Sequence, residues 1–379
     1  MKKRYLALAF TLLWAFLLSG CDGFAEIEEL IVVSGAAIDF DGEEYTVTAE
    51  IIDLQRGSQE TAYKTFYLES RGGSISQAVS HMGRVTGKEL YWGHASVFVI
   101  GPGVAQSSIL PVLEWFLHDS LAAFSSMIVL SDTERAADVY SFVSPTENSV
   151  SFALEKIMTN YSSREERGSA AIFEIIDKCS ADGVATIIPV ISGQKNGGET
   201  VIAINGMAVF ARDTISGIYA PEEAELLRLL LESHSGNVFS ADTGEEVVHF
   251  HCGETKSGFE AEFENGTLTV DVTLEAELKL VDVDGDAGVL DEEFLLRFAD
   301  SADQVLTQRA MNVLEKDVAV FRSDILGVGQ YFERCRPELW EQIKDDWETV
   351  YGSALISLSV DTKVGQSGEA SKTLTLARE

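Results

Sequence analysis

Hydrophobic positions fall into three regimes along the chain. The first is a continuous run. After Lys2, Lys3 and Arg4, residues Tyr5 to Leu18 are almost wholly apolar. Fourteen residues are too few for a settled membrane helix, which needs about 20. A basic start, a short apolar stretch and small residues after it read as an export signal. Beyond it no run approaches the ~18 residues of a span, and the apolar positions become periodic. Period two dominates Leu30 to Ile52. Leu30 to Ile38 and the alternating Tyr45, Val47, Ala49 and Ile51 flank the turn signal Asp41-Gly42, and the pair predicts a hairpin. A third strand is expected from Lys64 to Glu69. Period 3.6 then takes over: Ser74 is placed as an N-cap, Ile75, Val79, Met82 and Val85 share a face, and Gly87 stops the helix.

Strand text returns from Glu89 to Ile100 and breaks at Gly101-Pro102-Gly103, which is a loop rather than a phosphate cradle. A helix follows from Ile109 to His118 and a strand from Ser125 to Leu130, after which Asp132 is expected to cap another helix. Val150 to Met158 and Ala170 to Ile176 carry helical faces on either side of a polar loop, Arg164 to Arg167. In Ile187-Ile188-Pro189-Val190 the proline predicts an edge strand. Gly193 to Glu199 has no apolar residue and is expected to be a domain boundary. Two short strands, Gly206 to Phe210 and Ile215 to Tyr219, lead into a helix with Pro221 at its first position and acids in its first turn. Asn265-Gly266 between alternating runs predicts a type I′ hairpin. Asp291 is expected to cap a long helix striped by Phe294, Phe298, Ala302 and Leu306, and a last strand runs from Ala354 to Val360. The fold class is α+β, a multi-domain ectodomain with mixed and antiparallel sheets and packed helices. The expected parts are a signal (1–20), a leader (21–29), an N-terminal domain (30–196), a small middle domain (200–257) and a C-terminal domain (258–379).

Composition changes the picture in two ways. The net charge of −33 on 379 residues repels nucleic acid and anionic headgroups, and excludes nucleic acid as a partner. It reads as a well-solvated acidic exterior. Of the four cysteines, Cys21 stands apart; Cys179, Cys252 and Cys335 are odd in number and lack CxxC spacing. Buried thiols are expected rather than a disulfide framework.

Cys21 follows Leu17-Leu18-Ser19-Gly20. An ordinary secretory signal would end in an A-x-A-like site; here Leu-Ser-Gly-Cys resembles the bacterial lipobox. That resemblance implies a diacylglycerol thioether on Cys21 and cleavage between Gly20 and Cys21. The result is an acylated, palmitate-type amino terminus, with everything after it held at the extracytoplasmic face of a membrane. Two or more acyl chains hold a protein stably where one does not.

Other constellations are weaker. Asp282, Asp284, Asp286 and Glu293 match calcium-loop positions, but Ala287 stands where that loop needs glycine. His249 and His251 would share a strand face, without a second ligand pair at zinc spacing. Tyr91, Trp92 and His94 form an aromatic patch with no partner nucleophile in view, and Trp340 and Trp347 share a helical face. There is no G-x-S-x-G, P-loop, Rossmann fingerprint or HExxH. No catalytic residue, metal site or cofactor is expected.

In order, the chain offers the lipobox, Glu28-Glu29-Leu30, a strand ending Gly35-x-x-Ile38-Asp39 and the Tyr45-Thr-Val-Thr strand. Then come Leu90-Tyr91-Trp92-Gly93-His94, Ile100-Gly101, Leu117-His118-Asp119, Asp324-x-Leu326-Gly327-x-Gly329 and Pro337-x-x-Trp340…Trp347. This series resembles the Ger(x)C family, the C-subunit lipoproteins of bacterial spore germinant receptors. The resemblance implies a lipid-anchored, non-catalytic subunit at the outer face of the spore inner membrane. It would work with integral-membrane A and B type subunits in nutrient-triggered germination. Trp92, His94, Trp340 and Trp347 are then the candidate partner contacts. The alternatives are a lipoprotein solute-binding receptor that holds the nutrient itself, and a surface-anchored enzyme.

Overall fold

The computed structural model describes residues 30–53, 63–118, 125–161, 170–231, 238–244, 246–284 and 292–364. Cys21 and its signal, the Arg164–Arg167 loop, Asp286, Ala287 and Asp291 lie outside the described residues. None of the described helices is long and apolar enough to cross a membrane.

The first hairpin forms as its alternation dictates, from β1 (Leu30–Phe40) and β2 (Tyr45–Asp53), with β3 (Lys64–Gly72) alongside. Helix α1 (Ile75–Thr86) starts where Ser74 Oγ accepts the Gln77 N–H at 3.2 Å and ends on Gly87 at φ 66°. Next come β4 (Glu89–Tyr91), β5 (Val97–Ile100), α2 (Pro102–Ser107), α3 (Leu110–His118), β6 (Met127–Ser131) and a 3₁₀ turn (Ala136–Ser141). Gly101-Pro102 thus opens a short helix instead of only breaking a strand. Asp132 caps nothing here: its carboxylate accepts from Asn205. The 3₁₀ turn is capped from β1, where Asp39 Oδ1 accepts the Ala136 N–H at 2.7 Å. After α4 (Val150–Tyr161) and α5 (Ile172–Ser180), strands β7 (Thr186–Asn196), β8 (Glu199–Ala211) and β9 (Thr214–Tyr219) complete a nine-stranded sheet. Its order is β3-β2-β1-β5-β6-β7-β8-β9, with β4 on the start of β1.

One sequence expectation fails at β7, and the boundary expected at Gly193–Glu199 falls within a continuous sheet. Strand β7 is an interior strand, between β6 and β8, not an edge. Pro189 is accommodated because the β7–β8 register slips between Pro189 and Ile191, and pairing to β6 begins only at Val190. A missing N–H costs nothing at such a bulge. The apolar-free Gly193–Glu199 segment is the end of this hairpin, turning through Gly197 (φ 59°) and Gly198 (φ 106°). The strands on either side of that turn belong to one sheet. Residues 200–257 therefore have no sheet of their own: β8 and β9 finish the first, while later strands begin the second.

After α6 (Pro221–Leu231), strands β10 (Val238–Asp242), β11 (Val247–Glu264) and β12 (Thr267–Asp284) form an antiparallel meander. Its long hairpin closes on Asn265 (φ 52°) and Gly266 (φ 81°), the left-handed pair a type I′ turn requires. Helix α7 (Glu292–Lys316) crosses this sheet and passes into a π turn (Asp317–Phe321). It is followed by α8 (Val328–Cys335), α9 (Pro337–Ile343), α10 (Trp347–Tyr351) and β13 (Leu355–Val364), which pairs with β12 in parallel.

Three buried clusters hold the molecule. One face of the first sheet packs on α1, α2, α3 and α5; the other carries α4 and the 3₁₀ turn. The third cluster joins the second sheet and α7 to Ile187, Met207, Val209 and Tyr219 of β7–β9. Neighbouring Ile188, Ala208 and Phe210 point into the first cluster, so period two buries both faces of these strands. Among the described residues Cys179, Cys252 and Cys335 are unbridged, and of these Cys252 alone is buried as expected; Cys335 is exposed.

Candidate functional site

Three regions collect the residues with chemical potential. The first is the end of the large sheet where the parallel strands β1, β5 and β6 begin. Leu30 pairs there with Glu89 and Val32 with Tyr91. Trp92 turns inward, 1% exposed, with its ring 5.3 Å from Trp115 and 6.0 Å from Phe98. His94 turns outward and is exposed, its ring 5.5 Å from Tyr91. Gly93 separates them because an added Cβ would lie 2.5 Å from the Tyr91 hydroxyl.

The second region joins the two sheets. Asp317, fully buried in the π turn, accepts from the Tyr219 hydroxyl of β9 at 3.2 Å and the Tyr351 hydroxyl of α10 at 2.8 Å. Burial holds its carboxyl well above the ordinary carboxylate range, outweighing the donated hydrogen bonds. Asp324 accepts the N–H groups of Val328 (3.0 Å) and Gly329 (2.7 Å) and the Trp347 indole N–H (3.2 Å). Burial pushes its carboxyl up to about 6. The Ala185 N–H donates to the Asp324 carbonyl, and Gly183 and Gly329 cross so closely that a Cβ on Gly329 would lie 2.5 Å from the Gly183 Cα. Trp340 and Trp347, 5.1 Å apart, close over this crossing and are 3% and 8% exposed.

These positions correct the expected contact surface. Trp92, Trp340 and Trp347 are core residues, because each indole has aromatic neighbours or a buried acceptor on its own chain. Of the four candidates only His94 is exposed at the surface.

The third region is a cavity of about 570 Å³ where the sheets meet. Ile204 and Gly206 of β8, Pro221, Glu222 and Glu225 of α6, Val238 to Ser240 of β10, and Arg309 of α7 line it. Its mixed lining suits a small polar molecule better than a lipid chain. His249 has its ring nitrogens against Ser240 (2.8 Å) and Asp284 (3.1 Å), and no metal-binding group occurs among the described residues.

A further buried acid was missed in the sequence. Glu50 of β2 is fully buried, and its carboxylate accepts the Val150 and Ser151 N–H groups at 2.8 and 2.9 Å and the Ser34 and Ser149 hydroxyls at 2.8 and 2.7 Å. It sits at the N-terminus of α4, where backbone donors and the helix dipole favour an anion. A glutamate within an apolar alternation was the available signal. Glu50, Asp39 and Asp324 each serve as an acceptor for backbone N–H groups at the start of a turn or helix, whereas Ser240, His249 and Asp284 form a hydroxyl–imidazole–carboxylate row across β10, β11 and β12.

Comparison with known proteins then accounts for nearly the whole length. A model described as spore germination protein N-terminal domain matches residues 23–193, and one described as spore germination B3/GerAC like, C-terminal, matches 205–368. The chain belongs to the GerAC-type spore germination proteins. Family members in Bacillus subtilis (strain 168) align end to end. Spore germination protein KC is 20% identical, covering 97% of each chain. YfkR, provisionally a spore germination protein, is 22% identical, covering 99% of this chain and 100% of its own. The crystal structure of the GerBC protein has the same fold, with a TM-score of 0.55 and 17% identity over 87% of this chain and 96% of that one. The two GerAC matches meet inside the β7–β8 hairpin, although the sheet itself runs on through it.

Proposed function

We propose that this GerAC-type chain is the lipid-anchored, non-catalytic C subunit of a nutrient germinant receptor at the outer face of the spore inner membrane. It would act as a scaffold that couples integral-membrane A and B type subunits. The observation that carries the reading is the end-to-end family match of a chain whose first strand begins nine positions after Cys21 in a lipobox. Diacylglycerol on Cys21 confines the subunit to the plane of its partners, which raises effective concentration without any new contact. The Asp317 and Asp324 networks tie the two sheets together, as a coupling piece requires. The test is a pull-down from detergent-solubilised spore inner membrane with wild type and Cys21→Ala. Wild type should bring down two polytopic proteins, and the variant should leave the membrane fraction. Wild type that is membrane-bound but alone would rule out the assembly.

The cavity between β8, α6, β10 and α7 favours one second reading, a receptor that holds the nutrient itself. Calorimetry of the folded ectodomain against amino acids, sugars and nucleosides separates the two, since a scaffold should give no saturable heat.

A further inference from the structure

Among the described residues of 30–219, three large apolar side chains are more than half exposed: Val85 (77%), Leu117 (54%) and Phe173 (52%). They come from three different helices, yet each lies within one turn of a helix end. Val85 is the penultimate residue of α1, Leu117 the penultimate of α3 and Phe173 the second of α5. All three helices pack on the same face of the large sheet. The topology also brings all three to one end of it. Four residues after Val85 the chain enters β4, whose Glu89 pairs with Leu30 at the start of β1. Just before Leu117, Trp115 and Phe116 contact Trp92 and Phe98 beside the start of β5. Next to Phe173, Ala171 bridges Met127 at the start of β6, and the Ile172 N–H donates to Ser126.

This is also the end at which the described chain begins. Eight residues, 22 to 29, separate Cys21 from Leu30, and eight residues reach at most roughly 28 Å. A lipid on Cys21 therefore keeps this end of the sheet next to the bilayer and leaves the opposite end free to face away. Beside the three side chains Arg84 and Lys88 offset Glu89 and Glu174, while the leader adds Asp22, Glu26, Glu28 and Glu29, so the attraction to the bilayer is apolar and not electrostatic.

We propose that Val85, Leu117 and Phe173 form a three-point apolar foot that dips into the bilayer interface and fixes the orientation of the ectodomain. The foot rests on the Cys21 anchor of the proposed function. A single tether sets height only; three separated contacts define a plane and so hold the two-sheet body at one tilt. Isolated apolar side chains on a soluble surface are ordinary. Here the three most exposed ones of residues 30–219 converge on the end that the tether holds at the membrane, while the comparably exposed Leu296, Val320 and Leu355 belong to the part of the chain that carries the second sheet.

The test uses the full-length, lipid-modified chain reconstituted in phosphatidylcholine–phosphatidylglycerol vesicles carrying brominated acyl chains. Val85→Trp, Leu117→Trp and Phe173→Trp are compared with Val143→Trp. Val143 bridges Val201 near the opposite end of the sheet. Each foot variant should lose about half of its added tryptophan emission, since interfacial side chains sit about 5–10 Å into the headgroup and acyl boundary. The control should lose none. Anchored protein in which the foot variants are quenched no more than the control overturns the foot and leaves the anchor standing. If those positions become shielded only when membrane proteins are co-reconstituted, the contact is a protein surface and the lipid foot is overturned. A chain absent from the vesicles, with unmodified Cys21 by mass, overturns anchor and foot together.

Discussion

Asp324 shows how much one buried carboxylate can control. Its oxygens satisfy two N–H groups at the start of α8 and the Trp347 indole, and it is nearly inaccessible to water. Desolvation outweighs these donors, so its carboxyl titrates at about 6 against an ordinary 3.8. The folded state therefore holds its proton more tightly than the unfolded chain does. Stability from this group is full below about pH 4 and is lost as pH rises through about 6, by ~3 kcal/mol for a shift of this size. Asp317 is shifted in the same direction, again by burial first. Asp324→Asn removes the titration and also turns an amide N–H toward donors. The variant should be less stable than wild type throughout, with the gap narrowing between pH 4 and pH 7. Urea denaturation of both proteins at these two pH values measures it. Parallel profiles would mean that Asp324 does not titrate in this range.

At the scale of elements, local signals were legible and partners were not. The β1–β2 and β11–β12 hairpins, the Ser74 and Gly87 caps and the long α7 stripe follow from neighbours within a few residues. The neighbours of β7, the parallel pairing of β13 and the continuity of one sheet through Gly193–Glu199 depend on residues far along the chain, which period two cannot rank. The tryptophans failed for a related reason. Spacing by seven predicts one helical face for Trp340 and Trp347, but a 3₁₀ turn at Lys344–Asp346 puts them in separate helices, α9 and α10, and spacing does not tell whether such a face meets a core or a partner. Helix α4 is the sharpest case, because its capping anion comes from β2, 100 positions from Val150. Glu50→Gln keeps the volume but replaces one acceptor oxygen with a donor. One of the Val150, Ser151, Ser34 or Ser149 donors is then left facing an N–H, which should cost about 1–3 kcal/mol. Faster amide exchange confined to α4 would show that the loss lies in the cap. An unchanged denaturation midpoint would show that Glu50 is dispensable there.

For the whole molecule the decisive question is whether the two sheets act as one body, since an anchored coupling piece transmits orientation only if they do. Their junction is covalently thin but physically dense. Ile187, Met207 and Val209 share a core with α7 and the second sheet, Tyr219 reaches Asp317, and Gly183 crosses Gly329 with no room for a side chain on either. Separating the sheets would expose two buried carboxyls and the Trp340–Trp347 pair to water. The wild-type ectodomain should therefore unfold in one transition, with both sheets losing amide protection together. Gly329→Val adds volume where the backbones touch. Overpacking of this kind costs about 1–3 kcal/mol, and it falls on the junction rather than within either sheet. This variant should split the unfolding into two steps by calorimetry, with the first sheet (30–219) retaining protection after residues 238–364 have lost it. Two transitions already present in wild type would mean that the sheets are independent, and a coupling role would then have to run through the anchor end alone.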